Sequence, residues 1–135
     1  MPTRIFINLP VADLAKSKAF YTALGHTLNP KFSDDKAACV VVSDTIFVML
    51  LNRAYFQTFT AKSVANAGKE LQTLLAMSVP GRTEVDATMD KALAAGGSEA
   101  GEARDYGFMY QRSFEDPDGH TWEIFFMNEA EFPGA

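Results

Sequence analysis

Apolar residues fall in short runs, and the order of those runs repeats once along the chain. Residues 4–11 (Arg4-Ile5-Phe6-Ile7-Asn8-Leu9-Pro10-Val11) read as a strand, with Pro10 near its end, where a missing ladder hydrogen bond is tolerated. Asp13 is a candidate N-cap for a helix over 14–24; Leu14, Phe20, Tyr21 and Leu24 share roughly one face of it, and Gly25 supplies a left-handed end. Three strand-like runs follow, at 26–32, 37–43 and 45–51, punctuated by Ser33-Asp34-Asp35 and Ser43-Asp44. The order is βαβββ.

The same order returns downstream. Residues 73–79 form an apolar run before Pro80, and residues 83–95 carry Val85, Met89, Ala92 and Leu93 at helical spacing before Gly96-Gly97. Strand-like stretches lie near 99–104, 107–115 and 120–127, the last two joined by Asp116-Pro117-Asp118-Gly119, a strong hairpin turn. Aligning Val11 with Val79 and Gly25 with Gly96 gives an offset of about 70 residues, the mark of an internal repeat. The pattern predicts an α+β fold: one domain over 1–135, made of a first βαβββ module (4–52), a connection (53–72) and a second module (73–128). Sheet faces left uncovered by helix would be buried against each other, giving a curved mixed sheet around a cleft, a concave site suited to a small ligand.

Composition narrows the function. The 135 residues are 47% hydrophobic, 12% aromatic and 21% charged, enough to bury a core. No apolar run reaches the ~18 residues of a membrane span, and no secretory signal is evident, so a soluble cytoplasmic protein is expected, with no membrane partner. The net charge of −5, with basic residues scattered singly, disfavours nucleic acid and leaves a neutral or cationic small molecule. Cys39 stands alone within the apolar run 37–42, which excludes an intrachain disulfide framework or a multi-thiolate zinc site. The two histidines, His26 and His120, read as surface residues beside turns. No nucleophile elbow, phosphate loop, dinucleotide fingerprint or metalloprotease helix is present.

Two segments carry a family likeness. Asn8-Leu9-Pro10-Val11-Ala12-Asp13-Leu14, running on through Ser17 and Phe20-Tyr21 to Gly25, and Phe114-Glu115-Asp116-Pro117-Asp118-Gly119-His120-Thr121-Trp122-Glu123 both fit its patterns. With them the chain resembles, over residues 4–128, the vicinal oxygen chelate superfamily, which includes glyoxalase I, bleomycin resistance proteins and extradiol dioxygenases. The resemblance implies paired βαβββ modules, commonly a homodimer, and in metal-using members four ligand positions converging on a divalent cation. Carried over residue by residue, those positions are Phe6, Leu74, Val48 (or Met49 if the register slips by one) and Glu123. Only Glu123 can coordinate a hard cation, so the resemblance implies no cofactor of the usual kind unless the register is misread or a partner subunit contributes ligands; a divalent metal is then the alternative.

Strand alternation predicts the rest of the site. Glu123 shares a face with Thr121 and Phe125; Phe6, Asn8 and Pro10 share the matching face of the first strand, and Leu74, Ala76 and Ser78 that of the fifth. The cleft so drawn is apolar with sparse polar points. Glu123 is the candidate catalytic group, a general base or proton donor, or else a ligand anchor or a structural partner of an arginine such as Arg112. Tyr110 and Arg112 share one parity and Met109 and Gln111 the other, which leaves open which pair faces the cleft. Tyr55, Phe56 and Phe59 in the connection are candidates for a lid, an interface patch or plain packing. Three functions follow: a bleomycin resistance-like binder of a small hydrophobic or cationic molecule without the usual metal; a metal-dependent glyoxalase- or dioxygenase-type enzyme with Glu123 as ligand or proton shuttle; or a degenerate structural or regulatory dimer.

Overall fold

Side-chain caps and turn residues set where the first helix and the hairpins begin and end. In a computed structural model of the chain, which describes residues 2–133, strand β1 (Ile5–Val11) leads to helix α1 (Leu14–Ala23). The Asp13 carboxylate caps α1 by accepting from the Lys16 N–H at 3.1 Å, and Gly25 leaves it with φ +104°. Next come β2 (Thr27–Asn29), β3 (Ala37–Val41) and β4 (Ile46–Asn52). The expected strand at 26–32 stops at Asn29, because Pro30 cannot donate to a ladder and Asn29 caps a 3-10 turn over Pro30–Phe32 through the Lys31 N–H. The connection opens with a short helix, α2 (Arg53–Gln57), capped by Asn52.

The second half runs β5 (Leu74–Ser78), α3 (Arg82–Ala94), β6 (Ser98–Glu99), β7 (Arg104–Asp105), β8 (Met109–Glu115) and β9 (Thr121–Met127). The expected strand at 99–104 is broken into two fragments on β8, with Gly101 at φ +93° between them. Sheet one has the order β1-β4-β3-β2 and sheet two β5-β9-β8-β6, with β7 also paired to β8. In both, the first strand lies parallel to the last.

One continuous core lies on the helix side of both sheets. It joins Leu9, Val11, Phe20, Tyr21, Val48 and Leu50 from the first half to Leu75, Val85, Met89, Phe114, Trp122 and Ile124 from the second. Phe20 packs on Phe114 and Tyr21 on Trp122, with ring centroids 5.8 and 6.2 Å apart. The halves therefore meet through their helix-side faces, not through the uncovered faces as the pattern suggested. Polar bonds reinforce the seam. Asp118 accepts from the Ala12 N–H (2.8 Å) and the Ser17 hydroxyl (3.1 Å), the Tyr21 hydroxyl donates to Asp116 (2.6 Å), and the Trp122 indole donates to the Tyr21 oxygen (3.0 Å). Burial, helped by the nearby Asp116 charge, holds the Tyr21 phenol well above its ordinary range, and burial also raises Asp116.

Candidate functional site

Strand pairing decides which side chains share the uncovered face. Phe6 pairs with Phe47 and Asn8 with Met49, while Ile7 pairs with Val48. Val48 therefore points into the core, where it is fully buried, and does not face the site. Leu74 pairs with Thr121 and Ala76 with Glu123, so Met49 in sheet one stands where Glu123 stands in sheet two. The one-residue slip is the register the fold adopts, because the core demands Val48 on the helix side.

The ambiguity on β8 resolves the same way. Arg112 pairs with Ile124 and Tyr110 with Phe126, which puts both on the helix side. Arg112 binds Asp86 at 3.0 Å and Glu99 at 2.9 Å, and the Tyr110 hydroxyl donates to Asp86 at 2.7 Å. Those hydrogen bonds hold the Asp86 carboxyl below its ordinary range. Neither residue reaches Glu123. Its partner is Gln111, whose Nε2 donates to Oε2 at 3.1 Å.

On the uncovered face of sheet one, Phe6 stacks on Phe47 at 4.7 Å and meets Phe32 edge-on at 6.3 Å, with the Arg4 guanidinium 5.5 Å above the Phe6 ring. On sheet two, Leu74 and Ser78 are exposed, and Glu123 and Phe125 half-buried. The four positions at which metal-using members of the resembled family carry ligands thus hold Phe6, Met49, Leu74 and Glu123. Two hydrocarbons, a soft thioether and one carboxylate already engaged by Gln111 do not fit a divalent cation that takes hard or imidazole donors. Among the described residues, no three His, Cys, Asp or Glu side chains gather elsewhere in a metal-holding group.

A cavity of about 500 Å³ opens beside these positions, where the connection crosses the two sheets. Asn8, Pro10 and Leu51 of sheet one, Leu75 and Thr121 of sheet two and His120, just before β9, form its floor. Phe56, Phe59, Thr60 and residues 62–65 wall it, and Leu71 and Thr73 close its side. Asn8 and Thr121 are the site residues read from sequence that lie on its wall; Phe6, Leu74, Ser78, Glu123 and Phe125 lie outside it. The wall is held in place by Arg53, whose Nη2 donates to the carbonyls of Val64 (2.7 Å) and Ala65 (3.1 Å), and by Gln57, whose amide donates to those of Thr60 and Lys62. Phe56 and Phe59 line the cavity, and Tyr55 packs edge-on against Phe59 with ring centroids 5.0 Å apart.

His120 was missed. It is 8% exposed, not a surface turn residue, because the hairpin clamps its backbone: its N–H donates to the Asp116 carboxylate and its carbonyl accepts from the Asp116 N–H, each at 2.9 Å. The signal lay in the turn itself, since an Asx-type bond from Asp116 draws the residue after Gly119 inward. Gly119 must be glycine here: φ is +92°, and a Cβ would stand 2.6 Å from the Ala67 carbonyl oxygen and the Gly68 nitrogen of the connection.

Comparison with known proteins agrees with this geometry. Residues 3–43 match the family model described as bleomycin resistance protein-like N-terminal. A hypothetical protein of S. aureus superposes with a TM-score of 0.79 at 28% identity, covering 93% of this chain and 94% of its own. A glyoxalase-related enzyme from Fulvimarina pelagi superposes at 0.78 with 26% identity, covering 93% of this chain and 88% of its own. A fosfomycin resistance protein from Mesorhizobium loti shares the fold at 12% identity, with a TM-score of 0.70 over 97% of each chain. No curated protein matches the sequence significantly.

Proposed function

For a chain that belongs to the vicinal oxygen chelate superfamily and has its glyoxalase/bleomycin resistance-like fold, we propose a cytoplasmic small-molecule-binding role, exercised without the divalent cation of metal-using relatives. The observation that carries it is the cavity of about 500 Å³ at the meeting of the two sheets, large enough for a drug-sized molecule and walled by Phe56, Phe59, Leu51 and Leu71 with sparse polar groups. The ligand is a small hydrophobic molecule, neutral or cationic, in keeping with the acidic balance of the chain. The donor set at Phe6, Met49, Leu74 and Glu123 speaks against the metal-dependent enzyme, in which Glu123 would ligate or shuttle a proton. No helix among the described residues is long and apolar enough to cross a membrane.

The same reading includes a homodimer. Phe6, Leu74, Ile5 and Ile46 are large apolar side chains left exposed along and beside the edge strands β1 and β5, and a second copy would cover them. Sedimentation at micromolar concentration should give twice the monomer mass; a monomer would remove this element and leave the ligand reading standing.

A thermal-shift and calorimetric screen of apolar amines and neutral aromatics tests the binding role. Hits should lose at least tenfold in affinity on Phe56→Ala and keep it on Glu123→Gln. Hits that Glu123→Gln abolishes and Phe56→Ala spares would move the ligand to the open face of sheet two. A screen with no hits, together with tight stoichiometric nickel, zinc or iron, would favour the enzyme instead.

A further inference from the structure

The cavity contains one buried ring whose hydrogen-bonding state is set by the backbone around it. Nε2 of His120 lies 2.7 Å from the carbonyl oxygen of Pro10. A carbonyl only accepts, so Nε2 carries a proton, and in the imidazole form Nδ1 is the nitrogen left with a free lone pair. Among the described residues nothing donates to Nδ1. No fully buried side-chain nitrogen or oxygen lacks a partner there, so Nδ1 retains access, and His120 is among the residues that line the cavity. Thr121, beside it on the floor, turns its hydroxyl back toward the Gly119 carbonyl at 3.4 Å. The other charged groups near the ring are Asp116, engaged by Tyr21 and by backbone N–H groups, and Lys62 and Glu70 on the cavity wall.

We propose that the cavity selects apolar ligands that carry a hydrogen-bond donor, a hydroxyl or a primary ammonium group, and that Nδ1 of His120 accepts from it. The inference rests on the ligand-binding reading above and assigns the polar end of the ligand. A ligand without a donor would strip solvent from the Nδ1 lone pair and give nothing back, which is the basis on which polar sites reject apolar isosteres. The Pro10 carbonyl is what makes the selection directional: it fixes the tautomer, so the cavity presents an acceptor and not a second donor.

The test uses 2-naphthol and its methyl ether, 2-methoxynaphthalene, on the full chain. Naphthol should bind at least tenfold more tightly than the ether. In the imidazole nitrogen NMR spectrum, the Nδ1 signal of His120 should move upfield with naphthol and stay put with the ether, while His26, outside the cavity, is unmoved by both. His120→Gln separates this role from a structural one. Its amide nitrogen can take the place of Nε2 at Pro10, but its acceptor Oε1 is carried on Cδ and not on Cγ as Nδ1 is, so the melting temperature should stay near wild type while the two probes become equal in affinity. Equal affinities in the wild type, or a naphthol preference that survives His120→Gln, would overturn the assignment and leave the ligand-binding reading intact. Failure of both probes to bind would overturn that reading and the assignment with it. If His120→Gln does not fold, the wild-type nitrogen spectrum decides alone.

Discussion

The Tyr21 hydroxyl is the point at which one side chain answers for two others. It donates to Asp116 and accepts from Trp122, both buried, so its loss strands a carboxylate oxygen and an indole N–H together. Tyr21→Phe should therefore cost about 2–3 kcal/mol, more than an ordinary hydrogen-bond deletion, as read by urea denaturation. A loss under about 0.5 kcal/mol would mean that water replaces the hydroxyl. This network was only half legible in the sequence. Asp116-Pro117-Asp118-Gly119 announced a turn, and Tyr21 announced a helix face, but hydropathy patterns carry no information on which helix a turn's carboxylates will meet about a hundred residues away. His120 was misplaced for a local reason: hydropathy does not record the bond from its N–H to the Asp116 carboxylate that draws it inward.

At the scale of elements, the pattern predicted two βαβββ units, and the helices, the main strands and the last hairpin stand close to where alternation and caps put them. What alternation did not supply was phase. A continuous run such as Ile46-Phe47-Val48-Met49-Leu50-Leu51 is apolar on both faces, so nothing in it distinguishes the side facing α1 from the side facing outward. Pairing with β1 supplies the phase. Val48→Glu would bury a charge without a partner and should abolish folding in soluble expression, whereas Met49→Glu should express and melt within a few degrees of wild type. The reverse ranking would restore the other register. The connection, too, has an architecture of its own. Arg53→Ala removes the tie to Val64 and Ala65 without touching the core; stability should change by less than about 1 kcal/mol, but limited proteolysis between Thr58 and Asn66 should speed several-fold.

Across the whole molecule, Asp116 at the seam and Asp105 on β7 give stability opposing pH dependences. Burial raises the folded-state pKa of Asp116 above the ordinary carboxylate value, so the folded protein holds that proton more tightly than the unfolded chain. Its contribution therefore declines as pH rises from the unfolded value through the folded one. Asp105 works in the opposite sense. Its bond to Arg82 lowers it to about 2, so its contribution is present above 3.8 and fades as pH falls toward 2. Asp116→Asn keeps an oxygen for the two backbone N–H groups and removes the titration. Melting curves from roughly pH 4 to 7 should show the wild type losing ground to the variant as pH rises; parallel curves would remove Asp116 as the cause.

Asp118 reaches back to the first turn of α1, a contact that spans 106 positions at the Ala12 N–H. During synthesis, the ribosome releases all of β1–β4 and α1 long before that carboxylate exists. Until it emerges, the first sheet has its strands but lacks half of its core and the acceptor for Ala12 and Ser17, so its apolar helix-side face stays open to chaperones. Folding of the first half is thereby deferred until the last hairpin has been made, and a stop even shortly before Asp116 would yield a chain fit for degradation, not a working half.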